Sequence, residues 1–222
     1  MKTAMILAAG RGERMRPLTD ETPKPLLACG GRALIERHLD ALAAAGFERV
    51  VINLAWLGQQ IRERIGDGGA WGLAVQYSDE GNRALETAGG IVRALPLLGE
   101  QPFVVVNGDI VTDYPFDRLA LAAGDLAQLV LVDNPPEKSD GDFTLEGDRV
   151  TQTGGRRLTF AGIGAYHPSL FAGLADGHAP LAPLLRDAMR HRRVGGEHYD
   201  GLWRDIGTPQ RLADTDSLLS HA

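Results

Sequence analysis

The sequence predicts an α/β fold in which helices cover both faces of a largely parallel sheet, and three observations carry that expectation. Apolar runs at 4–9, 50–54 and 103–106 have the length and composition of strands buried on both sides. Between the first two and after the second, Ile35, Leu39 and Leu42, then Leu57, Ile61 and Ile65, recur at the period of amphipathic helices. This β-α-β-α-β rhythm calls for parallel strands joined by right-handed crossovers. The first run also breaks at Gly10-Arg11-Gly12, a turn at the rim where such sheets hold ligands.

In chain order, Gly30-Gly31 is expected to lead into the first helix, which Gly46 stops. His38 falls inside that pattern and reads as a packed or surface histidine rather than a ligand. The second helix ends at the glycines of 66–69, and 73–77 alternates like a strand. Thr87-Ala88-Gly89-Gly90 opens a helix with small residues only. Those residues suit a capped end packed against the sheet, and equally a flat slot where Gln76 and backbone groups reach a planar base. After the strand at 103–106 come a short helix at 119–123 and a strand at 128–132. A loop at 133–141 contains Pro135-Pro136, and a hairpin (142–145 and 149–152) turns at Gly147-Asp148. A strand at 158–166 carries Gly162 and Gly164, which allow a close approach. Short helices are expected at Pro168-Ser169 and 181–191. Thr208 and Pro209 suit the N-cap and first turn of a closing helix with Leu212 and Leu219 facing inwards.

With 222 residues, 44% of them hydrophobic and 23% charged, the chain can bury one sizeable core as a single domain. A net charge of −6 argues against a general nucleic-acid binder, which neutralises phosphates with a basic surface. Cys29 is the only cysteine, so neither an intrachain disulfide nor a cysteine-based zinc site can form. No apolar run has the length to span a membrane, and Arg11 to Arg14 ends the first run too early for a secretory leader; a cytoplasmic protein is expected.

Against this acidic background Arg11, Arg14, Arg16 and Lys24 crowd into one short stretch. The glycines permit a nest of backbone N–H groups, and Pro23 and Pro25 stiffen the backbone on either side of Lys24. Such a set suits a polyphosphate, although the glycine turn alone would pass for an ordinary loop with solvated arginines. It is not a P-loop, since no Gly-Lys pair exists, nor a dinucleotide fingerprint, since Met15 stands in place of the third glycine. Asn107-Gly108-Asp109 puts a carboxylate at the same rim, as either a turn cap or a cation ligand.

The stretch 7–25 closely resembles the signature of the sugar-1-phosphate nucleotidyltransferases. It holds Leu7-Ala8, Gly10, Gly12, Arg14 or its neighbour Arg16, Pro17-Leu18-Thr19 and Pro23-Lys24-Pro25. Glu86-Thr87-Ala88-Gly89 resembles the family's base-binding element. Asn107-Gly108-Asp109 and Trp203-Arg204-Asp205-Ile206-Gly207-Thr208-Pro209 resemble its two metal-bearing segments. The resemblance implies a Rossmann-like three-layer α/β/α sandwich with a mostly parallel, mixed sheet. It places a nucleotide-binding half at about 1–110 and a sugar-phosphate half at about 111–222.

The implied reaction joins a nucleoside triphosphate to a sugar 1-phosphate with release of pyrophosphate, without nucleic acid or membrane as partner. Arg11 and Lys24 are the catalytic residues so implied. Ala8, Ala9, Gly10, Arg11, Gly12, Gln76, Thr87, Ala88, Gly89 and Asn107 would hold the nucleotide. Asn107, Gly141, Ala161, Gly162 and Arg204 would hold the sugar phosphate, and Asp109 and Asp205 would hold Mg²⁺. Thr153-Gly154-Gly155 replaces a common Glu-Lys-Pro, so the usual sugar-binding glutamate has no counterpart. The resemblance is nearest to members that use UTP and an N-acetylmuramic acid 1-phosphate. For the carboxylate of that sugar, Arg156, Arg157 and Arg204 are the basic candidates. Guanylyl transfer to mannose 1-phosphate is the alternative, and a catalytically silent nucleotide-sugar sensor is the reading from a different class.

Overall fold

The computed structural model describes residues 1–81 and 85–220. Strand β1 (Thr3–Leu7) is followed by a 3₁₀ turn at Glu13–Met15 and by α1 (Leu18–Glu21). A second 3₁₀ turn, Lys24–Leu26, leads to β2 (Ala28–Cys29) and β3 (Arg32–Ala33). Then come α2 (Leu34–Ala44), β4 (Arg49–Leu54), α3 (Gly58–Ile65), β5 (Ala74–Asp79), α4 (Glu86–Leu98), β6 (Phe103–Asn107) and β7 (Ile110–Thr112). The second half holds β8 (Ala127–Val132), β9 (Phe143–Glu146), β10 (Arg149–Thr151) and β11 (Arg157–Tyr166). It closes with α5 (Leu181–Arg190), β12 (Val194–His198), β13 (Trp203–Asp205) and α6 (Pro209–Ser220).

Nine strands form one mixed sheet in the order β5-β4-β1-β6-β11-β8-β12-β10-β9. The β5-β4-β1-β6 block is parallel, and β11 runs antiparallel to both β6 and β8, so one sheet crosses both halves of the chain. Successive side chains of a strand point to opposite faces. Accordingly Ala4, Ile6, Val50, Ile52, Val104 and Val106 pack in one core, and Met5, Val51 and Val105 in the other. That two-sided burial is why these strands are continuously apolar. The α/β fold with a mixed sheet therefore stands as the sequence implies.

Three local expectations change. Gly30-Gly31 does not open a helix directly: with φ of 59° and 73° it is the two-residue turn of the β2–β3 hairpin, a conformation glycine adopts without strain. The helix expected at 119–123 is absent; a 3₁₀ turn at Phe116–Arg118 stands just before it. The third is a small ladder that the sequence did not disclose, in which β13 pairs antiparallel with β7 and sets Asp205 opposite Ile110.

Candidate active site

Parallel packing of β1 and β6 brings Leu7 level with Asn107, so the loops that follow both strands leave the sheet side by side. Gly108 makes that closeness possible. Its N–H donates to the Leu7 carbonyl at 2.9 Å, and a Cβ there would stand 2.6 Å from the same oxygen. The β7–β13 ladder then carries Asp205 to the turn, with the Ile206 N–H donating to the Asp109 carbonyl at 2.9 Å. Two aspartates nearly a hundred residues apart in sequence thus reach one place.

A cleft of about 510 Å³ opens here, lined by 8–10, Gly12, Arg14 and Lys24 on one side and by Asn107, Gly108 and Asp109 on another. Lys24 is buried, and its ammonium lies 2.6 Å from an Asp109 carboxylate oxygen. Gly12, in the left-handed region at φ 67°, passes so close that a Cβ would lie 3.3 Å from the Lys24 Cβ. The glycine turn thus serves to lay the backbone against the lysine stem. Burial, and then the Asp109 charge, push the Asp205 carboxyl above its usual range, while Lys24, Arg211 and Arg14 oppose this. A half-buried carboxylate pair that repels itself, with hard oxygen donors, fits a divalent cation such as Mg²⁺. Asp109 and Asp205 are the residues that would hold it. Among the described residues no group of three or more His, Cys, Asp or Glu forms a closed protein cage, and Mg²⁺ does not require one.

Several expected residues stand elsewhere. The Arg11 guanidinium donates to the Thr19 carbonyl and to Asp20, each at 2.7 Å, and lies 3.8 Å over the Trp56 ring. It does not line the cleft. Arg14 does, makes no ion pair among the described residues, and has a guanidinium nitrogen 3.4 Å from where a Gly207 Cβ would stand. The 3₁₀ turn at Glu13–Met15, entered through Gly12, turns Met15 into a small apolar core and leaves Arg14 on the cleft side.

Gln76 is exposed in the edge strand and outside the cleft, because β5 runs on to Asp79 before reaching the rim. Thr87 lines the cleft, whereas Ala88 is fully buried and the Gly89 N–H donates to the Ala179 carbonyl at 3.0 Å. A Cβ on Gly89 would meet the Gly177 carbonyl, so packing accounts for both small residues. Gly162 lies against Asn107, and the Ala161 carbonyl accepts the Trp203 indole N–H at 2.8 Å. Neither lines this cleft. Gly141 sits against Asn134 and the Arg157 backbone, away from the cleft.

The cleft also contains Asn53 and Glu80, which the sequence did not single out, and Glu86 of the expected base-binding element. The Asn53 side chain accepts from the Ala8 N–H at 2.7 Å and donates to Glu80 at 2.6 Å. Glu80, also buried, accepts from the Leu85 N–H at 3.1 Å. This chain ties the turn after β1 to the start of α4. Gly90 leaves room for it, since a Cβ there would lie 2.5 Å from Glu80 Oε1. Glu86, with φ of 60°, is held in the strained left-handed region at the mouth of the cleft. The signal for Asn53 was visible: a polar residue near the end of an apolar strand, as at Asn107.

The match to known proteins agrees with this layout. Residues 3–144 match the family model described as nucleotidyl transferase. The chain belongs to the nucleotidyl transferase family. It is 54% identical, over 97% of both chains, to an N-acetylmuramate alpha-1-phosphate uridylyltransferase of Neisseria meningitidis serogroup B. A second protein so named, from Caulobacter vibrioides, is 35% identical over all of this chain and 98% of its own length. Mannose-1-phosphate guanylyltransferases are more distant relatives. Among solved structures, the inositol-1-phosphate CTP transferase from T. maritima superposes with a TM-score of 0.82. It covers 99% of this chain and 95% of its own at 18% identity, which speaks for the fold alone.

Proposed function

We propose that this protein transfers the uridylyl group of UTP to N-acetylmuramic acid α-1-phosphate, releasing pyrophosphate and UDP-N-acetylmuramic acid, as a step in peptidoglycan recycling. The observation that carries the substrate pair is the end-to-end identity to the Neisseria meningitidis relative of that name. The class of chemistry is supported independently by the Lys24–Asp109–Asp205 grouping. Transfer needs a sugar-phosphate oxygen to bond to the α-phosphorus while the bond to the bridging oxygen of the leaving pyrophosphate breaks. Two anions must meet, so positioning and charge neutralisation dominate, and no covalent nucleophile is required. Among the described residues the cleft lining contains no Ser, Cys or His.

Lys24 is suited to span the α-phosphate and the incoming phosphate, with its ammonium held in place by Asp109. Arg14 is suited to the β- and γ-phosphates, where charge accumulates as pyrophosphate departs. Mg²⁺ on Asp109 and Asp205 would supply further neutralisation of the phosphate oxygens. Thr87 and the neighbouring backbone at the start of α4 are suited to the base, with Asn53 and Glu80 tying that start to the turn after β1. Mixing the protein with UTP, Mg²⁺ and N-acetylmuramic acid α-1-phosphate should yield equal amounts of pyrophosphate and UDP-N-acetylmuramic acid, identified by mass. No product from this pair, with turnover of another sugar phosphate, would overturn the substrate assignment.

A further inference from the structure

A second cavity of about 630 Å³ is lined by residues that include Trp203, Arg204, Asp205 and Arg211. It adjoins the triphosphate cleft, whose lining includes Asp109 and Gly207, where the Ile206 N–H meets the Asp109 carbonyl. Because the cleft already takes the base and triphosphate end, a sugar joined at the Asp109–Asp205 point has this cavity as its continuation. Trp203 lines the second cavity, and its indole N–H is fixed on the Ala161 carbonyl, beside the Gly162 that packs on the cleft residue Asn107.

An acidic sugar needs an uncommitted cation here. Arg211 is committed, with one guanidinium nitrogen 2.5 Å from Asp205 and another 2.7 Å from Glu137. Arg156 pairs with Asp133 at 3.1 Å, Arg157 donates to the Asp142 carbonyl at 2.6 Å, and neither lines the cavity. Arg204 differs from all three. It lines the cavity, its side chain's one hydrogen bond among the described residues goes to the Trp203 carbonyl at 3.1 Å, and it pairs with no carboxylate there. The acidic groups around it are partly spent: Asp133 is bridged by Arg156 and His198, while Glu137 and Asp205 share Arg211. Asp200 and Asp214 also line the cavity, so an anionic substituent entering without a cation would be repelled.

We propose that Arg204 is the specificity-determining residue for the sugar: it binds the carboxylate of the sugar's acidic side chain in the second cavity. The proposal rests on the reading of the substrate as an acidic sugar 1-phosphate. A guanidinium presents two parallel N–H donors to a carboxylate, which a neutral sugar lacking that group cannot use. Arg204 thus discriminates by the charge and geometry of the substituent, leaving the phosphate to Lys24.

The test is the ratio of kcat/KM for N-acetylmuramic acid 1-phosphate to that for N-acetylglucosamine 1-phosphate, which lacks only the lactyl group. In the unaltered protein the ratio should favour the muramyl substrate. Arg204→Gln should lower that ratio by about tenfold to a hundredfold, mainly through KM for the muramyl substrate, the scale expected for one charge-assisted contact. Arg204→Lys should restore part of it. An unchanged ratio, whether both substrates suffer equally or neither does, would overturn the proposal, because a structural or phosphate-binding role moves both alike. If the unaltered protein shows no preference for the muramyl substrate, the functional reading itself fails. That outcome is seen before any variant is made.

Discussion

The triphosphate cleft is assembled from contiguous turns at the ends of neighbouring parallel strands. The second cavity gathers the loop containing Pro135-Pro136, the segment before β13 and one face of α6. In the first, Lys24 is buried, 9% exposed at the side chain, and meets Asp109 at 2.6 Å, while Arg14 stands exposed on the lining. In the second, charges sit at the surface, and most are already cancelled by one another. The contrast separates two tasks. Neutralising meeting phosphates demands preorganised charge, which the buried Lys24 on Asp109 supplies. Choosing among sugars needs only a differential contact, worth far less, which a solvated arginine can supply.

If that division holds, variants in the cleft should damage turnover more than variants in the cavity. The largest effect is expected from Asp109→Ala, a loss of more than about 10³-fold in kcat with the fold intact by circular dichroism. Chelation of divalent cations should abolish activity in the unaltered protein, and Mg²⁺ should restore it. Normal turnover by Asp109→Ala would remove the cation from the account. Next, Lys24→Met should lower kcat by about 10²–10³, the usual consequence of losing one preorganised charge-stabilising contact. A change confined to KM would instead make Lys24 a uniform-binding residue.

The two arginines of the glycine turn sharpen the comparison. Arg14→Gln should cost about tenfold or more in kcat/KM for UTP, and Arg11→Gln clearly less, since Arg11 is engaged by Asp20, Thr19 and Trp56. The reverse order would mean that Arg11 leaves those partners when the triphosphate binds.

The smallest effect concerns stability. His38 is buried beneath the Asn107–Ile110 turn, and burial lowers its pKa from 6.5 to about 4. Between those values the unfolded chain binds more protons than the folded one, so stability must fall as pH drops through this window. Unfolding by urea at pH 5 should show about 2 kcal/mol less stability from this group than at pH 7. His38→Gln should flatten that dependence, and an unchanged slope would place the titration elsewhere.

What could be read from the sequence follows the same division. Strand cores, the clamped lysine and the position of Asp109 were legible, because each depends on a short contiguous pattern: an apolar run, Pro-Lys-Pro, a polar residue after β-formers. Asp205 was singled out only by the resemblance of 203–209 to a family segment. Arg11 was chosen over Arg14 because spacing does not reveal which way a chain leaves a left-handed glycine. Entered through Gly12, the chain leaves Arg14 on the cleft lining and Arg11 off it. Gln76 was misplaced because alternation reveals a strand but not where it ends. Ala88 and Gly89 looked like a base slot, yet their partners, Gly177 and Ala179, lie some ninety residues away and carry no motif. The Asn53–Glu80 bond and the β7–β13 ladder are likewise products of tertiary packing.

The central claim is most directly tested by one competition. The protein is given UTP, GTP, CTP and ATP at equal concentration, together with equal amounts of N-acetylmuramic acid, N-acetylglucosamine, glucose and mannose 1-phosphates. The nucleotide sugars formed are then identified by mass. UDP-N-acetylmuramic acid should accumulate first and in excess over every other product. Accumulation of GDP-mannose would contradict the account.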